Sequence, residues 1–191
     1  MTILDTLKKR RTIYQLNKNM PVSDEEVIQV INDVTELTPD AFNMKSARVI
    51  VAMNDNHDAL WDVIYDAFEG KVSKEKIQTF KDGYGTVLYF IDDQVVENLQ
   101  EQFALYADNF PVWAQQANGM LQYGIWNALA DLNVGASLQH YNPVIDKAVK
   151  EMFNVPEHYR LIAQMPFGGI VQEAEPKEKE DITQRVKVFN G

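Results

Sequence analysis

A chain of 191 residues that is 46% hydrophobic and 24% charged, with nine glycines and seven prolines, has the make-up of a folded globular protein and excludes disordered, collagen-like and repeat-fibre classes. Its 28 acidic residues outnumber 18 basic ones, and the net charge of −10 argues against a non-specific binder of phosphate backbones. The lack of cysteine removes disulfides, thiolate metal sites and cysteine nucleophiles, and is the habit of a protein kept in a reducing cytoplasm.

The length suits one domain, residues 1–191. Residues 2–11 predict a short helix with Ile3, Leu4 and Leu7 on one face and Lys8, Lys9, Arg10 and Arg11 at its end. That charge follows the apolar patch, the reverse of a secretory leader, and no apolar run approaches the roughly 20 residues of a membrane span. The expectation is a cytoplasmic protein with neither membrane nor nucleic acid as partner. Ser23 and Glu26 form a capping box for a helix whose Val27, Val30, Ile31 and Val34 recur at helical spacing until Thr38-Pro39. Residues 47–53 and 86–91 are short β-branched apolar runs and predict buried strands. Between them residues 57–82 are helical, interrupted at Glu69-Gly70.

Residues 94–107 predict an amphipathic helix, and Pro111 suits the first turn of the next one. In that helix Trp113, Ala117, Met120, Leu121, Gly124, Ile125, Ala128, Leu129 and Leu132 keep one face apolar, and Gly119 and Gly124 permit another helix to approach. We read it as the buried spine, closed by a left-handed Gly135. A helix over 143–153, a strand over 160–165, a Pro166–Gly169 loop, a charged run over 173–181 and a strand over 185–189 complete an α+β or α/β pattern of a sheet covered by helices.

The chemistry visible in single motifs is sparse. Arg10, Arg11 and Thr12 join guanidinium donors to a hydroxyl, a set suited to a phosphate monoester, although cations at a helix C-terminus are also favoured without a ligand. Phe167-Gly168-Gly169 offers backbone N–H groups that could cradle an anion or simply make a turn. His140 could be a base, a metal ligand, a stacking partner or a hydrogen-bonded structural residue, while His57 and His158 read as surface residues. Asp92, Asp93, Glu97 and Glu101 read as helix-start charges in preference to a cation site. Trp113, Tyr123, Trp126 and Tyr141 read as core or interface around the spine. No Ser/His/Asp arrangement and no phosphate-loop or dinucleotide glycine pattern is present.

Taken in order, Arg10-Arg11-Thr12, the stretch Pro39 to Ser46, the stretch Gly135 to Pro143 and Pro166-Phe167-Gly168-Gly169 resemble the nitroreductase family, nearest its small fungal and bacterial subgroup, from about residue 5 to 189. The resemblance implies an α+β, FMN-dependent fold, with a central, mainly antiparallel sheet flanked by helices, built as an intertwined homodimer with flavin at the subunit interface. It implies that Arg10, Arg11 and Thr12 hold the FMN phosphate and ribityl chain, completed by a cation among Lys177, Lys179 and Arg185. Asn43 and Lys45 would reach the flavin across the interface, with backbone contacts from Pro39, Asp40 and Ala41. Lys45, where many relatives carry glutamine, would place a cation at the pyrimidine edge. Leu138, Gln139, His140 and Tyr141 would pack against the ring and hydrogen-bond its N5 edge through the backbone.

The implied activity is ping-pong reduction of nitroaromatics, quinones or similar planar acceptors by NADH or NADPH, with no nicotinamide preference and no side chain required as acid or base. Two rivals stand beside it. One is a flavin-binding sensor or store with little turnover, and the other an interaction module whose Trp-rich helix serves only as a dimer interface.

Overall fold

The structure, a computed structural model, describes residues 2–190. Helix α1 (Ile3–Lys9) opens with a capping box between Thr2 and Asp5 and leads to the short strand β1 (Leu16–Asn17). The Ser23/Glu26 box starts α2 (Asp24–Leu37), as expected. Strand β2 (Ala47–Met53), helices α3 (Asp55–Ala67) and α4 (Lys74–Lys81), strand β3 (Gly85–Asp92), helix α5 (Asp93–Gln102) and the long α6 (Phe110–Asp131) follow. Strand β4 (Gly135–Ala136), helix α7 (Asp146–Phe153) and strand β5 (Tyr159–Ile170) end the ordered pattern.

The sheet runs β1-β5-β3-β2, with β4 also on β5, and each of these pairings is antiparallel. β3 is buried along its whole length. Its side chains alternate: Val87 and Tyr89 meet Val27, Ile31, Leu121, Ile125 and Leu129 of α2 and α6. Leu88 and Phe90 meet Leu60, Trp61, Ile64, Ile77, Phe80 and Val149 of α3, α4 and α7. Covering on both faces is why β3 reads as an unbroken apolar run. The fold class is therefore the expected one: α+β, an antiparallel sheet between two helical layers.

The spine helix is confirmed, with two refinements. A Cβ at Gly124 would stand 2.8 Å from Val34 Cγ1, so α2 crosses there, while a Cβ at Gly119 would meet nothing within 4 Å. Its buried face is not wholly apolar: Asn118 Nδ2 donates to the Phe90 carbonyl at 3.0 Å, where the β3–β5 register shifts, and Gln122 Nε2 donates to Asn118 Oδ1 at 2.6 Å.

Other expectations are corrected. Pro166–Gly169 is not a loop but the end of β5. A Cβ at Gly168 would fall 2.5 Å from the Asn17 carbonyl, and one at Gly169 would collide with that of Asn19. These glycines admit a crossing backbone, which leaves no room for an anion. The left-handed residue after α6 is Asn133, φ 62°, not Gly135. No strand forms over 185–189: beyond β5 there is one 3-10 turn, Ile182–Gln184, in a largely exposed segment. His57 is fully buried, not superficial. Its Nδ1 pairs with Thr86 Oγ1 at 2.9 Å and its Nε2 with the Phe80 carbonyl at 3.1 Å, and burial pushes its pKa down to about 4. Asp92 and Asp93 do start α5 as expected, Asp92 as its N-cap accepting from the Val95 N–H, and each also pairs with an arginine: Arg48 Nη2 lies 2.8 Å from Asp92, and Arg160 Nη2 lies 2.8 Å from Asp93.

Candidate functional site

α1 stops at Lys9 because Arg10 takes extended backbone, φ −63° and ψ 118°, while its N–H still donates to the Thr6 carbonyl. The chain then runs extended beside the segment after α6. Thr12 bridges Ala136 in parallel, and the Ile13 N–H donates to the Ala136 carbonyl at 3.0 Å. In the facing segment alternate N–H groups turn inward onto β5: Ser137 to Pro166, Gln139 to Gln164, and Tyr141 to the Gln164 side chain. Those of Leu138 and His140, one step out of phase, face the other way and meet no acceptor among the described residues. The result is a flat wall with two free donors on its open edge.

At the phosphate-competent end, the Arg10 guanidinium carbon lies 4.3 Å from the Trp126 ring centroid and 5.8 Å from that of Tyr123. Arg10 Nε is buried without a partner, as is Trp126 Nε1. Buried donors left unmatched are rare and costly, so they mark where an acceptor belongs. Arg11 is occupied: its Nη2 donates to the Glu175 carbonyl at 2.6 Å. Lys177 and Lys179 are exposed, whereas Arg185 is paired with Glu180 at 2.5 Å.

Two residues missed in the sequence border this wall. Lys76 Nζ lies 5.4 Å from the Tyr14 ring and 4.8 Å from that of Phe80. Tyr141, expected beside the spine, instead packs edge-on against Phe68 at 5.2 Å and near Phe80 at 6.1 Å. Burial, then the nearby Tyr14, raises its pKa. A lone lysine on a lysine-rich helix carries no signal that separates it from its neighbours. His140 is exposed, and no metal-competent cluster of His, Cys, Asp or Glu occurs among the described residues.

Pro39, Asp40, Ala41, Asn43 and Lys45 form a separate group. Asp40 Oδ2 accepts from the Ser46 N–H at 3.0 Å and hydroxyl at 2.9 Å, leaving its buried Oδ1 unpartnered. Phe42, Asn43 and Lys45 all have positive φ, 56°, 51° and 53°. Such strain persists only when it is held. Phe42 stacks on Trp113 at 5.7 Å, and Arg48 Nη1 donates to the Lys45 carbonyl at 2.6 Å. A cavity of about 230 Å³ bounded by Pro39, Asp40, Asn43, Lys45, Ala117 and Leu121 lies here, and no residue of 10–12 or 138–141 lines it. Trp113 and Trp126 are about 20 Å apart along α6 at 1.5 Å per residue. The fold thus sets the Arg10–Thr12 segment alongside the chain after α6, Thr12 bridging Ala136 just before Leu138, and sets the Asn43/Lys45 group toward the other end of the spine.

Comparison with known proteins places this architecture. The sequence model of the nitroreductase family matches residues 7–169. Nitroreductase FRM2 of Saccharomyces cerevisiae is 33% identical over 98% of this chain and 96% of its own. The nitroreductase CinD of Lactococcus lactis, solved in complex with chloramphenicol, is 42% identical, with a TM-score of 0.94 over 99% of this chain and 100% of that one. A nitroreductase from Desulfovibrio desulfuricans solved with FMN shares the fold at 17% identity, with a TM-score of 0.73 over 100% and 99% of the two chains. The chain belongs to the nitroreductase family and is an oxidoreductase of that type.

Proposed function

We propose that the protein is an FMN-dependent NAD(P)H oxidoreductase that acts as a homodimer, 1–191 forming one domain, on planar electron-poor acceptors such as nitroaromatics and quinones. The observation that carries this reading is the set of unmet donors on two segments that bridge each other at Thr12 and Ala136: Arg10 Nε and the N–H groups of Leu138 and His140. A phosphate at one end and a flat heterocycle with acceptors on its rim at the other would meet them all. The residues therefore fit FMN, which when bound supplies hydride exchange between a nicotinamide and an acceptor.

The chain's own part is binding, orientation and exclusion of water. Arg10 and Thr12 take the phosphate with a tail lysine. Leu138 gives the ring an apolar face, the Leu138 and His140 amides fix its edge, and Tyr14 and Lys76 border the mouth. No side chain is required to move a proton.

A second copy supplies the rest. Asn43 and Lys45 do not share a cavity with the wall within one chain, so they serve the groove of a partner. Exposed apolar residues Val112, Met120 and Tyr123 on α6, and Val186, Val188 and Phe189 in the tail, are the surface such a pairing would cover.

The test is direct. Purified protein should carry, or take up, one FMN per chain. NADH or NADPH should bleach its visible absorbance, and a nitroaromatic or quinone should restore it. Colourless protein that takes up no FMN overturns the reading. Stoichiometric FMN with negligible turnover against every acceptor favours a flavin-binding sensor or store.

A further inference from the structure

The two arginines that end α1 do different work. Along extended backbone, side chains alternate, so Arg10 and Thr12 share one face and Arg11 shares the other with Ile13. Ile13 is buried, and Arg11 and Ile13 line the same cavity, of about 320 Å³. Trp126, whose ring Arg10 covers, borders that cavity too; what separates the two arginines is that Arg10 Nε is buried without a partner while Arg11 is taken up elsewhere.

What Arg11 meets instead is the C-terminal segment. Strands β1 and β5 pair Asn17 with Gly169 and Leu16 with Ile170. Each step back along the first is one forward along the second, so the same register sets Gln15 against Val171 and Arg11 against Glu175. Both contacts are present: the Val171 N–H donates to the Gln15 carbonyl at 3.0 Å, and Arg11 Nη2 to the Glu175 carbonyl at 2.6 Å. Beyond Gln15 and Val171 the two segments bound a cavity lined by residues 11–15 and 172–175, and the Arg11 side chain spans it to Glu175. The tail's furthest tie on this line is the Arg11 side chain. Pro176, without an N–H to donate, follows at once, and the exposed Lys177 is the next residue.

We infer that Arg11 is a positioning residue: it clamps the tail at Glu175 so that Lys177 joins Arg10 and Thr12 around the flavin phosphate, without touching the phosphate itself. This rests on the FMN reading above and revises the expectation from the sequence resemblance that gave Arg10, Arg11 and Thr12 alike to the phosphate. It also selects Lys177 over Arg185, which is engaged with Glu180.

The test is a double-mutant cycle on FMN affinity, read by flavin fluorescence quenching with apoprotein and free FMN, together with limited trypsinolysis at the tail lysines. Arg11→Ala and Lys177→Ala should each raise Kd about tenfold, as loss of a charge-assisted contact does. The double variant should bind no worse than Lys177→Ala alone, and Arg11→Ala should speed tryptic cleavage after Lys177 and Lys179. Multiplying losses, about a hundredfold in the double variant, would mean that Arg11 contacts the ligand independently and would overturn the inference. So would an Arg11→Ala protein with unchanged Kd or unchanged cleavage. Arg10→Ala and Thr12→Ala are the control for the underlying reading: if they too leave FMN binding unaltered, it is the phosphate site that fails, not the clamp. Thermal melts of each apoprotein separate these outcomes from unfolding.

Discussion

The two faces of the sheet are finished differently. On the side of α3, α4 and α7, the buried polar groups close on one another. Thr86 Oγ1 accepts from Trp61 Nε1 at 3.0 Å and can give its own proton to His57 Nδ1, while His57 Nε2–H serves the Phe80 carbonyl. On the side of α2 and α6, Arg10 Nε, Trp126 Nε1, Asn127 Oδ1 and Asp40 Oδ1 are buried and unmatched. A protein can carry such groups only where something else meets them. The first face closes on itself; the second leaves the unmatched groups that the proposed flavin and partner would meet.

That contrast can be broken at four places. Trp61→Ala, which empties a fully buried position stacked on Phe80 at 4.7 Å, should cost about 3–5 kcal/mol in urea unfolding, with FMN affinity unchanged in the fraction that stays folded. Acid should attack the same face. His57 holds a proton with a pKa of about 4 when folded and an ordinary 6.5 when unfolded, so the unfolded chain binds more protons between those values. Its contribution is complete above pH 6.5 and disappears as pH falls toward 4, a loss of about 3 kcal/mol. Urea midpoints measured across that window should decline in the native protein and flatten in His57→Gln.

The open face should respond in the opposite currency. Arg10→Ala should weaken FMN binding by about 1.5–3 kcal/mol while the apoprotein's unfolding midpoint hardly moves. A large stability loss there would mean that Arg10 is part of the core. Gly124→Ala should have the smallest effect, about 1 kcal/mol or less. The helix gains propensity, and the 2.8 Å approach to Val34 Cγ1 is to a side chain that can shift. Val34→Ala in the same protein should remove the penalty.

Much of this plan was legible before the structure. The Ser23/Glu26 box, the apolar runs of β2 and β3 and the spine helix are local patterns, and local patterns survive folding. The ordered motifs also singled out Arg10–Thr12 and 138–141, whose segments meet through the Thr12–Ala136 bridge. What escaped detection depends on distant parts of the chain. The glycines after Pro166 look like a loop until Asn17 and Asn19 are seen crossing them. His57 looks superficial until Thr86 and the Phe80 carbonyl close around it. Val186 and Val188 alternate like a strand, but among the described residues no strand pairs with them. Tyr14 and Lys76 have no motif at all; only the docking of α4 against the N-terminal segment brings them to the wall.

The outermost strand of the sheet, β2, has a further bearing on how the protein is handled. Among the described residues it pairs with β3 alone, so the backbone of Val49, Ile50, Val51 and Ala52 runs along the sheet's edge with Arg48 as the strand's sole charge. An uncovered margin of this kind invites other chains to add to it. Overproduced chains should clump through it, so soluble yield should rise with slower synthesis and, if the proposed dimer covers that edge, with flavin supplied during growth.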